Sequence, residues 1–265
     1  MLVHWTPVLP SRPMPRRLGQ HFLRPASVER LLRVVDPKPD QHFLEIGAGS
    51  GALTVPLAAR ARHVTAIELD AALVARLQPR APSNVTVIRG DALRADLEAV
   101  TPPGSRLVGN LPYAISSPLL RRFLDLRSRV ADVHVMLQAE VARRIAAAPG
   151  GKEYGILSVL YALVADVDVP LRFPPGAFAP PPNVSSALLR ARFLDRPRAE
   201  VDLADLERLL RKAFARRRRT LENNLEDSYA NLKEHLRLVH IEGSRRAETL
   251  SVVEFARLAR ALAKA

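Results

Sequence analysis

Short apolar runs alternate with amphipathic stretches along the first two thirds of the chain. Residues 28–35 carry apolar side chains at helical spacing behind Ser27, which suits a helix N-cap, and the pattern stops at Asp36-Pro37. Residues 42–46 (His-Phe-Leu-Glu-Ile) read as a buried strand, and Gly47-Ala48-Gly49-Ser50-Gly51 turns it into a helix over 53–61. Further strands are predicted over 63–69, 84–89, 106–109 and 130–137. Helices are predicted over 71–77, from Ser116-Ser117-Pro118 to about 126, over 140–147 and over 154–162. Residues 164–169 and 186–193 suit a closing antiparallel hairpin across a proline-rich loop. This alternation predicts an α/β fold with a mostly parallel sheet.

After Phe193 the strand signal stops. Helices are predicted over 203–217, 220–226, 232–240 and 252–263, the last with Ser251 and Glu254 placed as a capping box. The expected organisation is a loose tail over 1–15, an α/β domain over 16–194 and a small all-helical C-terminal domain over 195–265.

Composition narrows the function. The 265 residues are 48% hydrophobic, ample for a buried core, and no run is long and apolar enough to span a bilayer. The proline-rich tail has no continuous apolar stretch and so differs from a secretory signal. Met14 stands just before a basic, better-patterned segment and is an alternative start to Met1. With no cysteine, disulfides, zinc thiolates and thiol nucleophiles are excluded. The seven histidines include no pair at ligand spacing, so no metal is expected; His42, His63 and His134 lie in strand-like runs and read as structural. A net charge of +13 points to a polyanion, nucleic acid before membrane. Almost all the basic residues are Arg, as a GC-rich genome alone would produce, but that bias does not explain their excess over acids. Arg216-Arg217-Arg218-Arg219 is the densest cluster and Arg16, Arg17 and Arg24 a second; both are candidate RNA contacts, with a solvated basic face as the alternative.

Two stretches carry candidate chemistry. Gly47-x-Gly49-x-Gly51 lies between a strand and a helix, where glycine lets a ligand approach the backbone. Glu68 falls about twenty residues later at a strand end and can accept both hydroxyls of a ribose. Asp91 ends the next strand, where it can meet an adenine amino group. The pattern is one residue shorter than the dinucleotide fingerprint and no second phosphate cradle follows. An adenosine without pyrophosphate, as in S-adenosylmethionine, is the reading, with NAD second. The other stretch is Asn110-Leu111-Pro112-Tyr113. The Asn110 side-chain carbonyl and the Leu111 backbone carbonyl can accept both N–H groups of an exocyclic amine and free its lone pair. Pro112 stiffens the turn, and Tyr113 offers a face to a flipped base. A strand end with a Pro turn and a buried Tyr is the plain alternative.

These stretches occur in order with others: Gly19-Gln20-His21-Phe22-Leu23, Glu45-Ile46-Gly47, Glu68-Leu69-Asp70, Gly90-Asp91-Ala92, Phe178-x-Pro180-x-Pro182-x-Val184, Ala213-Phe214 with Arg217-Arg218 and Thr220-Leu221, and Arg246-Ala247-Glu248-x-Leu250-Ser251. Over about residues 16–262 the chain resembles the ribosomal small-subunit adenine dimethyltransferase family. The resemblance implies a Rossmann-like S-adenosylmethionine-dependent methyltransferase domain followed by a helical domain. The implied target is two adjacent adenosines near the 3′ end of small-subunit rRNA, in an assembling subunit. S-adenosylhomocysteine is the implied product, and the protein is expected to be a cytoplasmic monomer. The implied cofactor positions are His21, Leu23, Glu45, Gly47, Gly49, Gly51, Glu68, Asp91 and Asn110. The implied catalytic set is Asn110, Leu111, Pro112 and Tyr113, with Phe178 as a second stacking face. Two positions depart from the family: His21 where Asn is frequent, and Ser185 where Asp is usual.

Two rivals follow from the same residues. Methyltransferases of the erythromycin-resistance type, acting on large-subunit rRNA, share the tetrapeptide; the C-terminal Arg-rich and Arg-Ala-Glu-x-Leu-Ser motifs favour the small-subunit family. A non-catalytic assembly factor is the alternative of another class, against which Asn110, Glu68 and Asp91 all stand intact.

Overall fold

Strands buried on both faces need near-continuous apolar sequence, and this chain supplies several. The structure, a computed structural model, describes residues 21–263. The chain enters through β1 (Phe22–Leu23) and α1 (Pro25–Val35), then runs β2 (His42–Ile46), α2 (Thr54–Ala58), β3 (His63–Glu68), α3 (Ala71–Leu77) and β4 (Val85–Arg89). It continues through β5 (Ser105–Asn110), α4 (Ser116–Phe123), β6 (Val130–Gln138), α5 (Ala139–Ile145), α6 (Ile156–Val164), β7 (Ala165–Phe173), β8 (Phe178–Ala179) and β9 (Ser186–Phe193). The rest is helical: α7 (Leu203–Ala213), α8 (Leu221–Leu225), α9 (Leu232–Leu238) and α10 (Val252–Leu262).

The main sheet has the order β4-β3-β2-β5-β6-β9-β7. β4, β3, β2, β5 and β6 are mutually parallel, and β9 is antiparallel to β6. The predicted α/β class holds, with a Rossmann-like winding on either side of β2 and β5. The five inner strands are mostly buried, whereas the edge strand β4 has only half-buried and exposed positions. Leu107, Val133 and Val135 are fully enclosed; truncating such a leucine to alanine costs about 2–5 kcal/mol.

Three boundaries differ from expectation for physical reasons. α1 begins at Pro25, whose fixed φ suits a first helical turn, so Arg24 is the N-cap and Ser27 lies inside, its buried hydroxyl donating to the Ala177 carbonyl. β7 runs on through Pro170 to Phe173, which an edge strand tolerates because one row of its N–H groups has no ladder partner. α7 stops at Ala213, and the Asn224 side-chain amide donates to the carbonyls of Ala213 and Arg216, satisfying acceptors at the helix end. The expected capping box at Ser251 and Glu254 is present.

The chain forms two compact units, one reaching to Ala142 and adding Asp168–Arg192, the other made of Arg143–Val167 and the residues from Phe193 onward. The division therefore differs from a cut at residue 194. The cause is α6, six of whose nine residues are buried and which packs against α7 and α10. In this second unit the Tyr154 ring meets Phe214 edge-on at 6.2 Å, and Phe214 meets Phe255 at 5.8 Å. The expected tail over 1–15 lies outside the described residues.

Glu254 fastens the last helix. It accepts from the Ser251 N–H at 2.7 Å and from the Ser251 hydroxyl at 2.8 Å, and pairs with Arg245. Burial pushes its carboxyl up, but Arg245 and Ser251 outweigh burial and hold it down at about 2. A depressed acid gives stability that is complete above its unfolded value, about 4.5, and is lost as the pH falls towards 2. Glu254→Gln is therefore expected to lower stability at pH 7 by about 1–2 kcal/mol, with the gap closing towards pH 2. Thermal melts of both proteins across this range check it, and an equal gap at both ends contradicts it.

Candidate active site

In an open parallel sheet, ligands bind beyond the carboxyl ends of the strands where the winding reverses. Here the reversal lies between β2 and β5, with β3 and β4 on one side and β6 on the other. Gly47 follows β2, Glu68 ends β3, Asp91 lies just past β4 and Asn110 ends β5. All four line one pocket of about 810 Å³, counting the space at its open mouth.

The glycine turn brings backbone close to that crevice. Gly47 has φ +76°, and a Cβ there would stand 3.4 Å from the Asn110 carbonyl oxygen. Gly49 has φ +59°, and a Cβ would press to 2.9 Å from the Phe22 ring. A side chain at either position meets left-handed backbone strain of about 1–2 kcal/mol as well. The Gly49 N–H donates to Glu68 Oε2 at 2.8 Å and the Asp70 N–H to Oε1 at 2.9 Å, so two backbone donors aim the carboxylate. Each oxygen retains a lone pair for a ligand hydroxyl. Asp91 is held in its own turn by the Leu93 N–H at 2.9 Å.

The tetrapeptide is fixed from several directions. Asn110 Nδ2 donates to the His21 carbonyl at 2.6 Å. That bond settles the amide, because the opposite placement would set oxygen against oxygen, and it leaves Oδ1 as an acceptor. The Leu111 N–H donates to the Met136 carbonyl at 3.3 Å, while no donor among the described residues takes the Leu111 carbonyl. Pro112 has φ −59°. The Tyr113 hydroxyl lies 2.6 Å from Ser186 Oγ; burial pushes the phenol pKa up, and the Ser186 bond opposes it. The His21 ring stacks on Tyr113 with centroids 5.8 Å apart and 29° between planes, and His21 Nδ1 lies 2.8 Å from the Pro180 carbonyl.

The sequence profile described as "Ribosomal RNA adenine dimethylase" matches residues 14–264. The chain belongs to the ribosomal RNA adenine dimethylase family. It is 44% identical over 258 residues to "Ribosomal RNA small subunit methyltransferase A" of Xanthomonas campestris pv. campestris (strain B100), covering 94% of this chain and 96% of that protein. A protein of the same name from Methylibium petroleiphilum (strain ATCC BAA-1232 / LMG 22953 / PM1) is 43% identical, with 93% and 96% covered. Among solved structures, a dimethyladenosine transferase from Plasmodium falciparum superposes with TM-score 0.73 at 26% identity, covering 90% of this chain and 96% of that one. The 23S rRNA methyltransferase ErmE superposes with TM-score 0.68 at 25% identity, covering 91% and 99%. This dimethylase is thus a methyltransferase with the Rossmann-like fold expected of it.

Of the expected positions in this dimethylase, the pocket gathers His21, Gly47, Gly49, Glu68, Asp91 and the whole of Asn110–Tyr113. Four others lie away from it. Leu23 and Phe178 pair with each other in the small antiparallel ribbon β1–β8, and both are buried in the core beside Val28 and Phe173. Phe178 is 0% exposed, so its ring offers no face to a base. Gly51 faces Leu77 of α3, which a Cβ would meet at 2.5 Å, so it serves packing. Glu45 is 1% exposed behind the pocket wall. Arg24 is exposed in the first unit, and its Nε donates to the Phe178 carbonyl. Arg216, Arg217, Arg218 and Arg219 are exposed in the second, with Arg217 donating to the Tyr154 carbonyl at 2.9 Å. Arg16 and Arg17 lie outside the described residues.

Sequence reasoning missed the apolar lining, Ile67, Leu69, Leu73, Ala92 and Ile115, and the Ser186 anchor. Leu69 and Ala92 stood in plain view, each directly after a named carboxylate.

Glu45 makes a testable case. Burial pushes its carboxyl up to about 8, against a contact with Thr54 and with the help of the nearby Glu68 charge. The folded state thus keeps a proton that the unfolded chain releases near 4.5, so this stability is full below about 4.5 and is lost as the pH rises to about 8. Glu45→Gln keeps the neutral form at every pH. Its Tm relative to wild type should rise by several degrees, on the order of 5 °C, between pH 5 and pH 8.5. Calorimetric melts check this; a constant difference across the range removes the buried-acid account.

Proposed function

We propose that the protein transfers methyl groups from S-adenosylmethionine to N6 of two adjacent adenosines near the 3′ end of small-subunit rRNA, converting each to N6,N6-dimethyladenosine and releasing S-adenosylhomocysteine. The observation that carries this reading is the Asn110 amide. Its nitrogen is occupied by the His21 carbonyl, which leaves Oδ1 beside the open Leu111 carbonyl as the second of two acceptors for one amine. Support for the small-subunit target comes from the relatives of that name at 43–44% identity, against 25% for the 23S enzyme.

The pocket suits an adenosyl group. Glu68, aimed by two backbone donors, can take both ribose hydroxyls, and Asp91 can take the adenine amino group. Ile67, Leu69 and Ile115 supply apolar walls for a purine. Support for S-adenosylmethionine over NAD comes from the methyltransferases among the relatives.

Bound S-adenosylmethionine supplies an electrophilic methyl group. What remains for the protein is to hold the amine in line and shape its lone pair. Asn110 Oδ1 and the Leu111 carbonyl accept its two N–H groups and draw the nitrogen towards a tetrahedral geometry. Tyr113 stacks on the ring. The surplus proton of the methylated nitrogen is acidic enough to pass to water. After one transfer a single N–H is left, held by one acceptor, and the site must admit the first methyl group for the second transfer. The protein acts as a cytoplasmic monomer on the assembling subunit, and exposed arginines of the 216–219 turn contact rRNA phosphates. No helix among the described residues is long and apolar enough to cross a membrane.

The direct test uses small subunits from a strain lacking this modification, labelled S-adenosylmethionine and mass-spectrometric mapping. Two adjacent dimethyladenosines near the 3′ end are expected. Label on large-subunit rRNA would transfer the case to the resistance-type enzymes, and no label with cofactor bound would favour an assembly factor. Asn110→Ala should abolish nearly all transfer, by a factor of about 10² or more, with cofactor affinity kept, whereas Glu68→Ala should chiefly weaken cofactor binding in calorimetry. Arg216→Ala with Arg218→Ala should weaken RNA binding and lower its salt slope by about 2, because each lost phosphate contact removes roughly one. Arg217 is the poorer probe because its guanidinium also fastens Tyr154.

A further inference from the structure

With Phe178 buried, the aromatic wall opposite Tyr113 lacks an occupant from the proline-rich segment. The structure supplies one from elsewhere. We infer that the imidazole of His21 is the second stacking surface for the target adenine. This rests on the reading of Asn110–Tyr113 as the target-base site.

His21 reaches three parts of that site at once. Its carbonyl holds the Asn110 amide at 2.6 Å, its ring stacks on Tyr113 with centroids 5.8 Å apart and 29° between planes, and its Nδ1 donates to the Pro180 carbonyl at 2.8 Å. Both rings are tethered by their polar edges to one segment, Tyr113 through Ser186 and His21 through Pro180. Ser186 is fully buried at the start of β9, while Pro180 is exposed, so the Tyr113 side is the fixed jaw and the His21 side the yielding one. A base between two rings needs about 3.5 Å on each face, or roughly 7 Å in all. The centroids of the His21 and Tyr113 rings stand 5.8 Å apart, so the pair must open to admit a base, by rotation about side-chain torsions. The same residue thereby joins the stacking surface to the acceptor: a base that seats against the imidazole seats beside the Asn110 oxygen that its amine must find.

The test is steady-state methylation of unmodified small subunits by His21→Ala, His21→Phe and Tyr113→Ala, with cofactor affinity measured by calorimetry. His21→Ala keeps the backbone carbonyl that holds Asn110, and cofactor affinity measured beside turnover separates a stacking loss from a loss at the cofactor position that the resemblance implies for this residue. The kcat/KM of His21→Ala for subunits should fall about tenfold, as the loss of one stacking contact does. His21→Phe keeps a flat ring, loses the Pro180 bond, and should recover most of that loss. Equal impairment of Ala and Phe variants would overturn the inference, since packing or the Pro180 bond would then be what matters. Wild-type turnover by His21→Ala would overturn it as well, as would a fall in cofactor affinity that accounts for the whole loss. Tyr113→Ala separates the two readings: full activity in that variant removes the target-base site itself, whereas impairment there with His21→Ala unimpaired removes only the role of His21.

Discussion

Ile46 of β2 lies opposite Gly109 of β5, and the site hangs on that pairing. A Cβ at Gly109 would stand 2.5 Å from the Ile46 carbonyl, so the two strand ends meet as closely as they do only because Gly109 has no side chain. One residue further along come Gly47 and Asn110, the first members of the glycine turn and of the Asn110–Tyr113 turn. Gly47 meets the end of β5 with its backbone at φ +76°, a left-handed conformation that glycine adopts without strain. On the proposed function, a methyl donor bound along one turn and an amine held by the other would be neighbours by construction, with their orientation set before either ligand arrives.

Polar fastenings elsewhere serve the same end. At the opposite end of β5, Arg106 grips Asp132 of β6 with a bidentate pair and reaches Gln41, and His134 lies 3.4 Å from the same Asp132. Burial works to raise the Asp132 pKa, but the His134 and Arg106 contacts prevail and lower it. These groups bind β5 to β6 far from the chemistry, which fits the reading of His134 as structural.

The fold was legible where period and turn chemistry agree: the parallel strands, the glycine turn, and the Ser251 and Glu254 cap all stand where the residues foretold. What was not legible depended on direction in space. Glu45 and Ile46 are adjacent in one motif, yet strand alternation gives only Ile46 to the pocket and leaves Glu45 behind it. The resemblance implies Phe178 as a stacking face, but its ring is enclosed in the core, where its strand pairs with Leu23 in a two-residue ribbon. No pattern announces a ribbon that short. Sequence order places α6 in the α/β domain, whereas its nearly all-round apolar surface joins it to the helical unit.

The bond from His21 to Pro180 spans 159 positions of sequence, and that from Asn110 to His21 spans 89. A chain emerging from its own ribosome therefore carries the glycine turn and the whole of Asn110–Tyr113 well before it has the segment that tethers the two rings. Until Phe178 and Ala179 have been made and have paired with β1, and Pro180 and Ser186 have followed, neither the His21 nor the Tyr113 side chain has its polar partner. Completion of the enzyme is thus postponed until about two thirds of it has been translated.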